Sequence, residues 1–240
     1  MLAIETKNLT KVFKDRTAVN GIDLKINEGE LFALLGTNGA GKTTTIKMLS
    51  TLIFPSSGEI KIEGLDIIKD RQKIKKIINV SPQETAIAQN LSVKENLEFM
   101  AGVYEIQNKN KKINELVKMF NLEGVLNQRA KTLSGGWQRK VSIAIALIND
   151  PKILFLDEPT LGLDVIARKE LWNIIEKLKG QITIILTTHY LEEAESLSDR
   201  IGIMSKGNLI DVGTTEELIK KTNTNNFEDA FVKIVTGGEL

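Results

Sequence analysis

Lys42 and Thr43 close the segment GTNGAGKTT, Gly36 to Thr44, whose spacing fits G-x-x-x-x-G-K-[ST]. The chemistry this spacing serves is the grip on a phosphate chain. Glycines let the backbone curl until successive N–H groups converge on phosphate oxygens. The helix that opens at Lys42 adds unpaired donors and about half a positive charge at its N-terminus. Gly36, Thr37, Asn38, Gly39, Ala40, Gly41, Lys42, Thr43 and Thr44 therefore form a candidate cradle. In it the Lys42 ammonium reaches the outer phosphates and the Thr43 hydroxyl holds a magnesium ion.

A phosphate cradle does chemistry only with carboxylates beside it, and ILFLDEP supplies Asp157 and Glu158 at the end of an apolar run. Ligands of open parallel sheets bind at such strand ends. Neighbouring side chains on a strand point to opposite sides. That alternation predicts two jobs, Asp157 in the magnesium shell and Glu158 on an attacking water. His189, in IILTTHYLEEAE, is the single histidine of 240 residues. Taken alone, the ring is open to a structural or a chemical role.

These residues need a scaffold that brings strand ends together. ELFALLG, KILFLDE and ITIILTT are short continuous apolar runs, as in strands buried on both faces. Between the last two, ARKELWNIIEKLKG carries Leu171, Ile174, Ile175 and Leu178 at helical spacing and stops at Gly180. Strand, helix, strand predicts a parallel α/β sheet. Near the start, TAVNGIDLKINEGE and FPSSGEIKIEGLDI alternate apolar and polar residues, with turns expected at Asn20-Gly21 and at Pro-Ser-Ser-Gly. The middle is helical: Ser92 and Glu95 resemble a capping box, and Ile113, Leu116, Val117 and Phe120 form an apolar stripe. A hairpin is expected around Lys206-Gly207-Asn208. The expected fold is one α/β unit over 1–240. Its phosphate-loop NTPase core has a mixed, largely parallel sheet, an antiparallel β lobe, a helical subdomain over about 84–150 and a tail over 221–240.

Composition narrows the partners. Lys+Arg 32 against Asp+Glu 31 leaves a net charge of +1, so no overall field draws in a nucleic acid. The local runs KIKKI and NKNKKIN read as solvated helix faces. No cysteine is present, which excludes disulfides and thiolate metal sites. No apolar run reaches the roughly 20 residues that cross a bilayer, and the N-terminal stretch does not read as an export signal. The expected location is the cytoplasm, with any membrane role exercised through a partner.

LSGGWQRK, Leu133 to Lys140, precedes the apolar helix VSIAIALI. With this segment the chain resembles the ATP-binding subunits of ABC transporters, whose signature begins Leu-Ser-Gly-Gly. The Ser134 hydroxyl and the amides of Gly135 and Gly136 make physical sense as a second anion site at a helix start. The resemblance implies a head-to-tail dimer with a second copy or a similar ATPase subunit, each signature capping the other subunit's nucleotide. It implies that Phe13 stacks on adenine, that Gln83 contacts the metal or water beside the membrane-domain contact, and that Leu163-Asp164 crosses the dimer interface. It also implies that His189 contacts the γ-phosphate and orients the water. Trp137 departs from the glutamine common at that position.

TTTIKMLSTLIFPSSGEI, TTHYLEEAESLSDRIGIM and FEDAFVKI look like ATPases of the ABC-2 exporter type. The expected cofactors are ATP and Mg2+. The expected setting is the inner face of the cell membrane, on an integral permease, with no nucleic acid. A soluble ABC-type ATPase acting on ribosomes or DNA is the alternative that near-neutral charge disfavours. A regulator that does not hydrolyse is disfavoured by the presence together of Lys42, Asp157, Glu158 and His189. No N-K-x-D motif for guanine is present.

Overall fold

The computed structural model describes residues 1–237. In chain order it runs β1 (Leu2–Phe13), β2 (Arg16–Asn27), β3 (Leu31–Gly36), α1 (Lys42–Leu49), β4 (Ser57–Ile62), β5 (Leu65–Asp66) and α2 (Arg71–Ile77). There follow β6 (Ile78–Ser81), α3 (Val93–Val103), α4 (Lys109–Met119), α5 (Gly135–Ala146), β7 (Ile153–Asp157) and α6 (Val165–Leu178). The last part comprises β8 (Thr183–Thr188), α7 (Leu191–Leu197), β9 (Arg200–Ser205), β10 (Asn208–Gly213), α8 (Thr215–Thr222) and α9 (Phe227–Thr236). The last three residues of the expected tail lie outside the described residues.

Every residue of β3, β7 and β8 is buried, and these strands sit in the middle of a six-stranded sheet ordered β10-β9-β3-β8-β7-β6. All its pairings are parallel except β9 with β10. Alternation along the strands divides the interior in two. Leu31, Ala33, Leu35, Leu154, Leu156, Ile184 and Leu186 face the layer that includes α3 to α9. Phe32, Leu34, Ile153, Phe155 and Ile185 face α1, α2 and a second, antiparallel sheet ordered β2-β1-β4-β5. A sheet covered on both faces needs this uniform apolar content, which is why the three runs lack polar alternation.

Three sequence expectations change. Asn20-Gly21 lies inside β2 and is not a turn; the chain reverses at Lys14-Asp15, between the paired residues Phe13 and Arg16. Gly21 has φ 62, and the register shifts from Leu9↔Ile22 to Lys11↔Val19, so the left-handed tolerance of Asn-Gly serves a bulge instead. The edge strand β6 was not expected, because INVS is four residues long and its alternation too short to read. Finally, α5 falls inside the expected helical subdomain yet also belongs to the sheet layer. The Ser142 hydroxyl on α5 shares a buried 3.0 Å hydrogen bond with Ser81 of β6. The two basic runs are solvated as expected: Lys75, Lys76, Lys109 and Lys111 are exposed.

The capping box forms, with Glu95 N donating to Ser92 Oγ at 3.2 Å and Ser92 N to Glu95 Oε2 at 2.7 Å. It starts α3, whose Val93 and Leu97 pack with Ile113, Leu116, Val117 and Phe120.

Candidate functional site

The cradle hangs between the end of β3 and the start of α1. Gly41 precedes that helix at φ 106, a left-handed value no other residue type adopts comfortably. A Cβ on Gly41 would stand 2.6 Å from the Ala18 carbonyl oxygen, and one on Gly36 would stand 2.3 Å from that of Met204. Backbone bonds pin the loop from outside: Gly207 N donates to Ala40 O at 3.0 Å, and Asn20 N donates to Gly207 O at 2.8 Å. Gly41→Ala therefore meets both strain and a backbone clash. It is expected to destabilise the fold by about 1–3 kcal/mol and to weaken triphosphate binding, as thermal unfolding and titration calorimetry would register.

Lys42 is only 5% exposed. Its Nζ donates to Gly36 O at 2.7 Å and Thr37 O at 3.3 Å, and it faces Glu158 Oε1 at 3.3 Å. The other oxygen of Glu158 lies 2.6 Å from Nδ1 of His189. One buried carboxylate thus joins the lysine of the cradle to the lone imidazole. Asp157 serves a different group: its Oδ1 accepts from Thr43 Oγ1 at 3.0 Å and from Thr187 Oγ1 at 2.6 Å. The two acids face different groups, but not by strand alternation. Asp157 ends β7, whereas Glu158 lies past it at φ 50, turned by the chain and held by Glu158 N donating to Thr187 Oγ1 at 3.0 Å.

A cleft of about 610 Å³ brings together Phe13, Asn38 to Thr44, Gln83, Glu158 and His189. That size suits a small-molecule ligand. Gln83 follows the edge strand β6, and its loop is held from α5. The guanidinium of Arg139 donates to Pro82 O at 2.7 Å and Gln83 O at 2.5 Å. Burial pushes the Arg139 guanidinium down in pKa, and the negative charge of Asp157 opposes that. The donor set fits a hard cation: a hydroxyl, a carboxylate and an amide side chain, all oxygen donors. Among the described residues no group of three or more His, Cys, Asp or Glu gathers to hold a metal. Magnesium suits such a sparse set, because it takes few protein ligands and completes its shell with phosphate and water.

Ser134, Gly136 and Asp164 line a different, shallower depression of about 310 Å³, together with Trp137 and Lys140. No residue lines both. Ser134 caps α5 by its backbone while its side chain makes no capping bond, and Gly135 is the first residue of that helix. Asp164 Oδ1 caps α6, accepting from Ile166 N and Ala167 N at 2.9 Å each. The Lys140 ammonium sits 4.4 Å from the Trp137 ring centre and 2.7 Å from Glu170 Oε2. Val165 and Ile166 beside it are exposed.

Residues 19–161, more than half of the chain, match the family model described as ABC transporter. The chain belongs to the ABC transporter family. It is 42% identical over 224 residues to the human phospholipid-transporting ATPase ABCA3, covering 91% of this chain and 13% of that protein. It is 38% identical over 226 residues to the daunorubicin/doxorubicin resistance ATP-binding protein DrrA of Streptomyces peucetius, covering 93% of this chain and 68% of that protein. The chain thus spans about an eighth of the first relative and two thirds of the second. A solved ATP binding subunit of an ABC transporter superimposes with a TM-score of 0.87 at 27% identity, over 97% of this chain and 99% of that one. The dimeric ATP-binding cassette MJ0796 bound to ADP and Pi superimposes with a TM-score of 0.80 at 28% identity, over 88% and 98%.

In this ABC chain the residues singled out by sequence separate into two places, the cleft and the signature depression. Gly36 and Thr37 hold Lys42 through their carbonyls at the cleft floor, and Asp157 stands behind Thr43. Arg16, Ala18 and Leu161 also line the cleft and were not foreseen. Arg16 would have followed from Phe13 had the hairpin turn been placed at Lys14-Asp15, since the two residues pair across it. Thr187 and Arg139 position site groups without standing out in the sequence, one inside an apolar run and one inside a helix.

Proposed function

We propose that this chain is a single nucleotide-binding unit that hydrolyses ATP to drive an ABC-type membrane transporter, of the exporter kind. The observation that carries this reading is Glu158 bridging Lys42 and His189 at the wall of a cleft floored by the phosphate loop. A carboxylate so placed can take a proton from water, while the lysine and imidazole on either side answer the charge on the transferring group. The backbone donors of Gly39 to Thr44 and the N-terminus of α1 orient the phosphate chain. Phe13 offers a ring to the base. Bound magnesium would neutralise phosphate charge; Thr43, Asp157 and Gln83 are the residues that would hold it.

A dimer supplies what the cleft lacks. Ser134, Gly135, Gly136 and Asp164 lie apart from the cradle of their own chain, and a second copy placed head to tail would bring them to it. The MJ0796 cassette, solved as a dimer, supports pairing of two such chains. The names of the relatives, one phospholipid-transporting and one conferring drug resistance, support an outward transporter. No helix among the described residues is long and apolar enough to cross a membrane. On this reading the unit acts on the cytoplasmic face beneath a permease.

Phosphate release and sedimentation test this together. The expected result is magnesium-dependent ATP turnover and a shift from monomer to dimer when ATP is present and hydrolysis is blocked. A chain that neither turns over ATP nor dimerises with it, with the permease also present, would rule the reading out.

A further inference from the structure

Glu193 is completely buried, yet it is one helical turn past the segment that carries His189. Its Oε1 accepts two hydrogen bonds, from Thr160 Oγ1 at 2.8 Å and from Trp172 Nε1 at 3.0 Å. Thr160 lies two residues after Glu158, in the turn that leads to Asp164. Trp172 lies in α6, which that turn enters. A single oxygen therefore ties together the turn bearing Glu158, helix α6 and helix α7, whose first residue is two positions beyond His189.

The second oxygen, Oε2, has no hydrogen-bond partner among the described residues, and Glu193 takes part in no ion pair there. A buried carboxylate with one bare oxygen and no counter-charge is costly, so the two bonds to Oε1 bear the burden of holding it in place. Burial raises the Glu193 carboxyl above its ordinary value, the hydroxyl of Thr188 and the hydrogen bonds from Thr160 and Trp172 pull it back, and the negative charge of Glu158 adds to the rise.

We infer that Glu193 is a positioning residue for the hydrolytic site: through Thr160 and Trp172 it locks the Glu158 turn to the His189 segment and so maintains their 2.6 Å contact.

This inference rests on the ATPase reading above, and the lone histidine lets it be tested separately. With one imidazole in the chain, the ring resonances in a nuclear magnetic resonance spectrum belong to His189 without further assignment. Glu193→Gln keeps an acceptor oxygen at the same reach; Glu193→Ala removes it. The expected result is a Gln variant with the wild-type imidazole signal and turnover within about threefold. The Ala variant should show a shifted or broadened imidazole signal and a kcat lower by about 10- to 100-fold with KM little changed, the scale of a misplaced catalytic group. An unaltered imidazole signal in a folded Ala variant, or a Gln variant as impaired as Ala, would overturn it. Absence of turnover in the wild type would instead strike at the ATPase reading, and the imidazole signal would still decide the role of Glu193.

Discussion

Glu158→Gln binds ATP at least as tightly as the wild type and releases phosphate some 10²- to 10⁴-fold more slowly, the range lost when a general base is removed. The carboxylate is 6% exposed and touches both Lys42 and His189. The amide keeps the shape and gives up the proton acceptor. It also removes a negative charge next to the phosphate cradle, which favours the bound triphosphate. ATP should therefore trap the variant as a dimer. Phosphate release and sedimentation on the same sample check both halves. Wild-type turnover would move the base to another residue, and His189 would be the next to test.

Lys42→Ala should lose ATP binding and some folding stability together. A charge-assisted hydrogen bond to a phosphate is worth about 1.5–3 kcal/mol, roughly a 10- to 150-fold rise in Kd. The folding effect has a different cause. Lys42 and Glu158 are buried together, so deletion of the ammonium leaves a buried carboxylate without its cation, a loss of about 3–5 kcal/mol where no other partner compensates. His189 on the opposite oxygen compensates in part, which places the expected loss at the lower end. Lys42→Ala combined with Glu158→Gln should recover stability but not ATP binding. Thermal unfolding and ATP titration of the single and double variants would separate the two effects. Stability equal to the wild type in Lys42→Ala would show that the ion pair contributes nothing to the fold.

How far the sequence could be read depended on how local each constraint is. The cradle was legible because the glycine spacing and the helix start are contained in nine consecutive residues. The central strands were legible because burial on both faces writes itself as unbroken apolar runs. The contacts that set the site were not. Thr187, which holds Asp157, is one more residue in a strand run, and Arg139 gives no hint in a helix that its guanidinium caps the carbonyls before and at Gln83. Glu158 shows the limit most clearly. Its separation from Asp157 was expected from strand alternation but comes from a left-handed turn one residue later, and a glutamate, unlike glycine or asparagine, gives no sequence signal of that handedness. Asn20-Gly21 failed for a related reason: the same dipeptide satisfies a turn and a bulge.

The backbone of Gly207 bonds Asn20 of β2 through its carbonyl and Ala40 of the phosphate loop through its N–H. That double clasp ties the antiparallel lobe to the cradle. Gln83 is anchored elsewhere, since its carbonyl is tethered through Arg139 to α5. Two walls of one cleft are therefore hung from different elements, and a tilt of α5 would alter the distance between the glutamine and the phosphate loop.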